Sequence, residues 1–171
     1  SVGATVNVLL AATLAEGESI LHNAAIEPEI DNLVDYLISM GAKIQGRGTR
    51  TLVIQGVESL QPGKGVTIAD RIEAGTFLCG AVITRGRVKV TQMIPEHISA
   101  VLDLFREIGC EVTTGDTWVE VDARNKTLKP VSAITLPYPG FPTDLQAPLM
   151  ATLASIEGNS LLQDTIYHDR F

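Results

Sequence analysis

The sequence predicts an α/β protein built from repeated helix–strand–helix–strand–strand units, two of them complete and one partial. Three segments each carry small and apolar residues, then a glycine, then alternating apolar and polar residues; the glycines are Gly17, Gly86 and Gly158. Two further segments match each other in opening on a proline and continuing with apolar residues at helical spacing. Helices that recur with short strands in this order bury their apolar faces against sheets.

The first helix of each unit is predicted from "NVLLAATLAEGESILHNA", "GTFLCGAVITRGRVKVTQM" and "APLMATLASIEGNSLLQDT". Ala, Gly, Thr and Leu occupy nearly every face of these helices. That composition predicts burial on most faces, with a strand after each glycine.

The second helix of the two complete units is predicted from "EPEIDNLVDYLISMGAKIQ" and "IPEHISAVLDLFREIGCEVT". Pro28 and Pro95 open these helices in the first turn, and Gly41 and Gly109 stand where helix C-termini favour glycine. Their apolar residues fall on one face, which predicts amphipathic helices that cover a sheet. Two short strands follow each helix.

Two polar stretches rich in Gly or Pro, residues 56–65 and 123–133, are predicted to link the units. We therefore expect residues 1–66 to form one repeat unit, and residues 67–171 to form one and a half further units. The chain begins without Met, and the third unit stops after its first strand. Both features suggest a piece of a longer protein.

Composition excludes several classes of function. The net charge of −7 and the pI of about 4.9 argue against nucleic acid as a partner, and no apolar run is long enough to span a membrane. Cys79 and Cys110 lie in apolar contexts without CxxC spacing. Two buried thiols in a reducing compartment are favoured over a disulfide or a catalytic thiol. The three histidines, His22, His97 and His168, form no metal-ligand pattern.

The starts of the first helices carry the candidate functional residues. They are Ser1 with Val2 and Gly3, Asp70, and Thr143 with Asp144. One interpretation is that these residues only cap helices. The other is that the helix N-termini face a common cleft, where free backbone N–H groups hold an anion.

Asp144 differs from an ordinary cap because "YPGFP" precedes it and would hold it rigidly. A rigid carboxylate beside a cleft could accept a proton from a hydroxyl group. Glu27 and Arg170 are weaker candidates. Glu27 is favoured as an acid that stabilises a helix N-terminus, and Arg170 as a solvated or salt-bridged side chain.

Several motifs together resemble the enolpyruvyl transferases. They are "SVGAT", "LAEGES", "EPEI", "DRIEAGTF", "FPTDLQAP" and the final "DRF", which occur in order along essentially the whole chain. The resemblance implies an inside-out α/β barrel of two similar globular halves. It assigns residues 1–66 to one half and residues 67–171 to the other. The combination of "DRIEAGTF" and "FPTDLQ" favours the branch that acts on a nucleotide sugar over the branch that acts on shikimate 3-phosphate.

In that branch the enolpyruvyl group of phosphoenolpyruvate is transferred to the 3-hydroxyl of UDP-N-acetylglucosamine, with release of phosphate, in cytoplasmic peptidoglycan synthesis. The resemblance implies that Ser1, Val2 and Gly3 contact the UDP part and that Ile166 contacts the nucleotide sugar. It implies that Asp144 is the general base. No cofactor or metal is implied.

The resemblance also indicates what this chain lacks. The loop that bears the family's general acid, and the arginines that bind phosphoenolpyruvate, would lie outside it, and neither cysteine stands in the context of that loop. We therefore expect the isolated chain to be inactive and to expose apolar surface that favours self-association. A binding or assembly module without chemistry is the remaining alternative, because a fold does not fix a function.

Overall fold

A computed structural model describes residues 1–167 of the chain. It contains two compact units, one formed by Ser1–Ile68 and the other beginning at Ala69. Each unit has its own cluster of buried apolar side chains. Residues 56–70 between the last strand of the first unit and the first helix of the second contain no helix or strand. The assignment of the two parts to different globular halves stays a prediction.

The first unit contains two helices and one three-stranded antiparallel sheet. The middle strand of the sheet is the last in sequence, so the order is β1-β3-β2. Leu9, Val34 and Ile54 are completely buried between the helices and the sheet. The elements are α1 (Val2–Thr13), β1 (Glu18–His22), α2 (Pro28–Ser39), β2 (Lys43–Gln45) and β3 (Thr51–Gln55).

The second unit begins with the same succession of elements. Its first sheet is again antiparallel with the last strand in the middle, in the order β4-β6-β5. The repeat predicted from the sequence is therefore confirmed, and it extends to the order of the strands. The elements are α3 (Arg71–Ile83), β4 (Arg87–Thr91), a 3-10 turn (Pro95–Ile98), α4 (Ser99–Ile108), β5 (Glu111–Gly115) and β6 (Trp118–Asp122).

The third repeat contains a strand that the sequence did not predict. β7 (Ser132–Ile134) precedes the helical part and pairs in parallel with β8 (Leu161–Gln163). The predicted linker 123–133 is thus wrong at its end, where Val131 and Ala133 enter the core. Three residues are too few to show an alternating pattern, so this strand carries no sequence signal of its own. Between the strands lie a 3-10 turn (Thr143–Leu145) and α5 (Gln146–Ala154).

The predicted ends of the second helices are found with one correction. Pro28 is the first residue of α2, whereas Pro95 opens a 3-10 turn and α4 begins only at Ser99. Gly41 and Gly109 follow α2 and α4 with φ angles of +100° and +107°. These positive angles are costly for any residue with a Cβ atom, which explains the glycines.

The expected burial of the first helices on most faces is wrong for α1, and also for α5, where Met150 is 46% exposed. Val8 and Leu10 are 40% and 49% exposed, and the buried residues of α1 lie on one side only, where it contacts α2 and β3. In contrast, α3 contacts both β4 and α5, and buries more of its circumference. A helix with small and apolar residues all round needs neighbours on several sides, and within its unit α1 has them on one.

Candidate active site

The start of α1 has the geometry predicted for Ser1. Its hydroxyl oxygen accepts a hydrogen bond from the N–H of Ala4 at 3.3 Å, and its carbonyl accepts one from Thr5 at 3.0 Å. Val2 and Gly3 form the first turn, where backbone N–H groups have no partner within the helix. Gly3 is exposed, and a Cβ atom at this position would meet nothing within 4 Å. The turn therefore presents open space to a ligand.

Glu27 occupies the N-cap position of α2 but makes no capping hydrogen bond with its side chain. Asp31, one turn further along, does make side-chain contacts: it accepts a hydrogen bond from the N–H of Gly48 at 3.0 Å and lies 3.6 Å from the Arg47 guanidinium. The Glu27 side chain therefore acts on α2 through its negative charge, which interacts favourably with the positive N-terminal end of the helix dipole.

Asp144 does not cap a helix, which corrects one of its two interpretations. It is the middle residue of the 3-10 turn, and the N-cap positions of that turn and of α5 are Pro142 and Leu145. Leu145 is completely buried, whereas Asp144 is exposed. The apolar neighbour thus anchors the turn and leaves the carboxylate accessible from outside.

A second aspartate, which the sequence analysis missed, connects the candidate residues of the second unit. Asp164 follows β8, and one of its carboxylate oxygens accepts a hydrogen bond from the Thr143 hydroxyl at 2.7 Å. The other oxygen accepts from the Thr135 hydroxyl at 2.9 Å and from the N–H groups of Ile166 at 2.8 Å and Tyr167 at 3.1 Å. Thr143 and Ile166, both named from the sequence, are therefore held by the same carboxylate.

The surroundings of Asp164 shift its pKa in opposite directions. Partial burial raises the pKa, but the hydrogen bonds from Thr143, from the Tyr167 and Ile166 amides and from Thr135 lower it more. The net result is a pKa well below the usual range of a carboxyl group. Asp164 is therefore a hydrogen-bond acceptor that keeps its charge, and a poor proton acceptor.

The two cysteines have the character predicted for buried thiols. Both are free and buried, and burial raises the pKa of each to about 11. For Cys79 a hydrogen bond with Thr152 partly opposes this effect, and for Cys110 the charge of Arg85 does. The thiolate is the reactive form of cysteine, so neither side chain is activated for nucleophilic catalysis.

Within residues 1–167, no group of three or more His, Cys, Asp or Glu side chains could hold a metal ion. No helix in the same range combines the length and apolarity needed to cross a bilayer. Arg170 and His168 lie outside the described residues.

The family described as EPSP synthase (3-phosphoshikimate 1-carboxyvinyltransferase) matches residues 1–171. The chain belongs to the EPSP synthase family. This confirms the predicted relationship to the enolpyruvyl transferases.

Curated relatives in the family include proteins named for a nucleotide sugar. Proteins named UDP-N-acetylglucosamine 1-carboxyvinyltransferase are 49% identical in Shewanella pealeana and 51% identical in Acinetobacter baylyi, each over 171 residues. A relative named UDP-N-acetylglucosamine 1-carboxyvinyltransferase 2, from Caldanaerobacter subterraneus, is 48% identical. All of this chain is matched, but it spans only 41% of the length of each of these relatives.

Solved structures confirm the predicted fold class, an α/β fold of the enolpyruvyl transferase type, of which the described residues form only part and no closed barrel. The enolpyruvyl transferase NikO from Streptomyces tendae matches 99% of this chain and 41% of its own, with a TM-score of 0.85 and 28% identity. An EPSP synthase from Acinetobacter baumannii matches 95% of this chain and 38% of its own, with a TM-score of 0.60. At 18% identity, the second match shows the fold alone.

The structure brings together some of the predicted residues of this EPSP synthase family member. Thr143, Asp144 and Ile166 belong to the second unit. The Asp164 carboxylate accepts hydrogen bonds from the Thr143 hydroxyl and from the N–H of Ile166. Ser1, Val2, Gly3 and Glu27 belong to the first unit. The only sequence signals for Asp164 were its place after a strand and two residues before Ile166. Asp commonly accepts hydrogen bonds from nearby backbone N–H groups at such positions.

Proposed function

We propose that the protein containing this chain transfers the enolpyruvyl group of phosphoenolpyruvate to the 3-hydroxyl of UDP-N-acetylglucosamine and releases phosphate. The observation that carries this proposal is the identity of 44–51% across the whole chain to relatives named for a UDP-N-acetylglucosamine carboxyvinyl transfer. Membership of the EPSP synthase family supports the reaction type. The proposed setting is the cytoplasm and the first committed step of peptidoglycan synthesis.

Asp144 is the proposed general base. When the sugar 3-hydroxyl forms a bond to the enolpyruvyl carbon, it must lose its proton, and a nearby carboxylate can accept it. The support is geometric: Asp144 is exposed on a turn whose neighbours, Thr143 and Leu145, are held by a hydrogen bond and by burial. No cofactor or metal is proposed to take part.

The first turn of α1 is the proposed contact for the UDP part of the substrate. Ser1, Val2 and Gly3 offer a hydroxyl and backbone N–H groups at the positive end of a helix dipole, which favours the negative charge of a diphosphate. Ile166, half-buried beside Asp164, is the proposed apolar contact with the nucleotide sugar.

Phosphate release by the full-length gene product tests the reaction and its acceptor. We expect turnover with phosphoenolpyruvate and UDP-N-acetylglucosamine and none with shikimate 3-phosphate. Turnover only with shikimate 3-phosphate would favour the other branch of the family. Tight binding of the nucleotide sugar without turnover would favour a binding module. The same assay on the isolated 171 residues should give no turnover, because they cover less than half of each relative.

Gly3→Val tests the nucleotide contact. The helix can accept the larger side chain, because a Cβ atom at Gly3 would point into open space. Crowding of the helix terminus should therefore weaken binding of UDP-N-acetylglucosamine by the full-length gene product. Gly80→Val is the matched control, since position 80 is also a helical glycine with nothing within 4 Å. An unchanged Kd for Gly3→Val would reject the contact.

Self-association of the isolated chain is a separate proposal. Leu10 and Leu14 on or beside α1 are 49% and 56% exposed, and Phe77 on α3 is 59% exposed. Apolar surface of this kind promotes association of proteins. Sedimentation at increasing protein concentration should show a rising average mass, and a constant monomer mass would contradict the proposal.

A further inference from the structure

Asp164 is the point at which three separate segments of the second unit meet. Its carboxylate contacts Thr135 after β7, Thr143 at the start of the 3-10 turn, and the backbone of Ile166 and Tyr167 after β8. Thr143 and Thr135 lie 21 and 29 residues from Asp164 in sequence. One side chain therefore fixes the relative positions of two segments that the proposed function places at the substrate.

The contact with Thr135 gives this arrangement a rigid base. Thr135 is completely buried, and its hydroxyl donates to Asp164 and accepts from the N–H of Thr165 at 3.1 Å. The Thr135 N–H donates to the carbonyl of Gln163 at 2.9 Å, which continues the β7–β8 pairing. Because Thr135 is held on both sides, the Asp164 carboxylate has little freedom to move.

The contact with Thr143 transmits this rigidity to Asp144. Thr143 and Asp144 are neighbours in a 3-10 turn of three residues, and the third, Leu145, is buried. The direction of the Asp144 side chain depends on the backbone of this short turn. The hydrogen bond of 2.7 Å between Thr143 and Asp164 holds one end of it, and the burial of Leu145 holds the other.

We propose that Asp164 is a positioning residue that aims the Asp144 carboxylate and orders the Ile166 segment for the transfer reaction. This inference rests on the proposed function, because it needs Asp144 to be the base. Asp164 itself does not exchange a proton with the substrate, since its oxygens are occupied by hydroxyl and N–H donors. Its contribution is the geometry of the groups that do the chemistry.

Thr143→Val is the most selective test, because it replaces the hydroxyl by a methyl group of similar size. We expect kcat of the full-length gene product to fall about 10-fold to 100-fold, as small misplacements of catalytic groups do. KM for phosphoenolpyruvate should stay within about threefold. Thr143→Ser keeps the hydroxyl and should restore kcat. The matched control is Thr152→Val, which removes a buried hydroxyl that donates to Pro148 in α5.

Asp164→Asn tests whether the 143–145 turn and the Ile166 segment both depend on the Asp164 carboxylate. It should lower kcat through the 143–145 turn and also raise KM for UDP-N-acetylglucosamine through Ile166. In the Asp164→Asn background, adding Thr143→Val should cost little more, because the bond that it removes is already altered. If Asp164→Asn does not fold, as judged by circular dichroism, Thr143→Val and Thr143→Ser decide the question.

The outcomes separate this inference from the proposed function. If the unmodified protein shows no turnover with phosphoenolpyruvate and either acceptor, the proposed function fails and the positioning role fails with it. If the unmodified protein turns over, but Thr143→Val has the same kcat as Thr152→Val, only the positioning role of Asp164 is overturned. A loss of kcat that Thr143→Ser does not restore also overturns it.

Discussion

Asp70 and Asp144 precede the small-residue helices of successive repeats in the second unit. The Asp70 carboxylate accepts hydrogen bonds from the N–H groups of Ile72 at 2.8 Å and Glu73 at 3.1 Å, so it caps α3. The Asp144 carboxylate lies within a 3-10 turn, and the N-cap of α5 is Leu145. Asp70 therefore caps its own helix, whereas Asp144 does not cap the helix that follows it.

The difference arises from the residues around the second aspartate. Pro142 is extended, with φ −73° and ψ 136°, and the turn that follows brings Leu145 into the core. Leu145 packs so closely on α3 that a Cβ atom at Gly75 would clash with its Cδ1. Burial of Leu145 therefore determines how the chain enters α5, and a carboxylate in the turn before it is not aligned with the N–H groups of that helix.

The two aspartates should differ most in the effect that their replacement by alanine has on kcat. We expect Asp144→Ala to lower kcat of the full-length gene product by roughly 100-fold or more, because a general base contributes about 10²–10⁴. Asp70→Ala should leave kcat within a few fold. Circular dichroism would confirm that both variants fold. A normal kcat for Asp144→Ala would remove its role as base.

Gly75→Ala should disturb the packing that distinguishes α5 from α3. The methyl group meets the buried Leu145 side chain, and overpacking costs about 1–3 kcal/mol, against a gain of up to about 1 kcal/mol in helix propensity. The net loss of unfolding free energy should be about 1 kcal/mol in urea denaturation of the 171-residue chain.

Gly80→Ala is the control for this substitution on the same helix. A Cβ atom there meets nothing within 4 Å, so the variant should gain about 0.5–1 kcal/mol. Equal effects of Gly75→Ala and Gly80→Ala would contradict the tight contact with Leu145.

Asp70→Ala should lower the free energy of unfolding by about 1 kcal/mol, because it removes a helix cap that two N–H groups use. Asp144→Ala should change it by less than about 0.5 kcal/mol, as is usual for an exposed residue without such a contact. Urea denaturation of both variants measures the difference. A loss of equal size would mean that Asp144 does stabilise its turn.

Acid should weaken the second unit through Asp164, the carboxylate that holds the turn of Asp144. Its pKa is lowered in the folded state, against about 3.9 in an unfolded chain. A lowered pKa gives stability that is present above about pH 3.9 and is lost as pH falls towards the folded-state pKa. Unfolding between pH 5 and 2 should therefore be less steeply pH-dependent in Asp164→Asn than in the parent. Identical profiles would contradict this contribution.

Much of the fold could be predicted because its signals are local. The amphipathic pattern of α2 and α4, and the glycines after them, depend on residues within a few turns of each other. The Ser1 and Asp70 caps depend on the three residues that follow each of them. The resemblance added the family, which the comparisons confirm.

What could not be predicted depends on distant contacts. β7 is defined by its pairing with β8, which follows α5 in the sequence. The placement of Asp144 depends on the fit of Leu145 against Gly75. The role of Asp164 requires Thr135 and Thr143, which are far away in sequence. A single sequence contains no local pattern that marks such contacts.

The parallel pairing of β7 with β8 also bears on the order in which the second unit assembles. β5 and β6 form a hairpin in which Gly115 pairs with Trp118, so little chain must be ordered before the strands meet. The 3-10 turn and α5 separate β7 from β8 in sequence, so the pairing of these strands is non-local. Such pairings form slowly. Asp164 directly follows β8, so the contacts that orient Asp144 are expected to be among the last to form during folding.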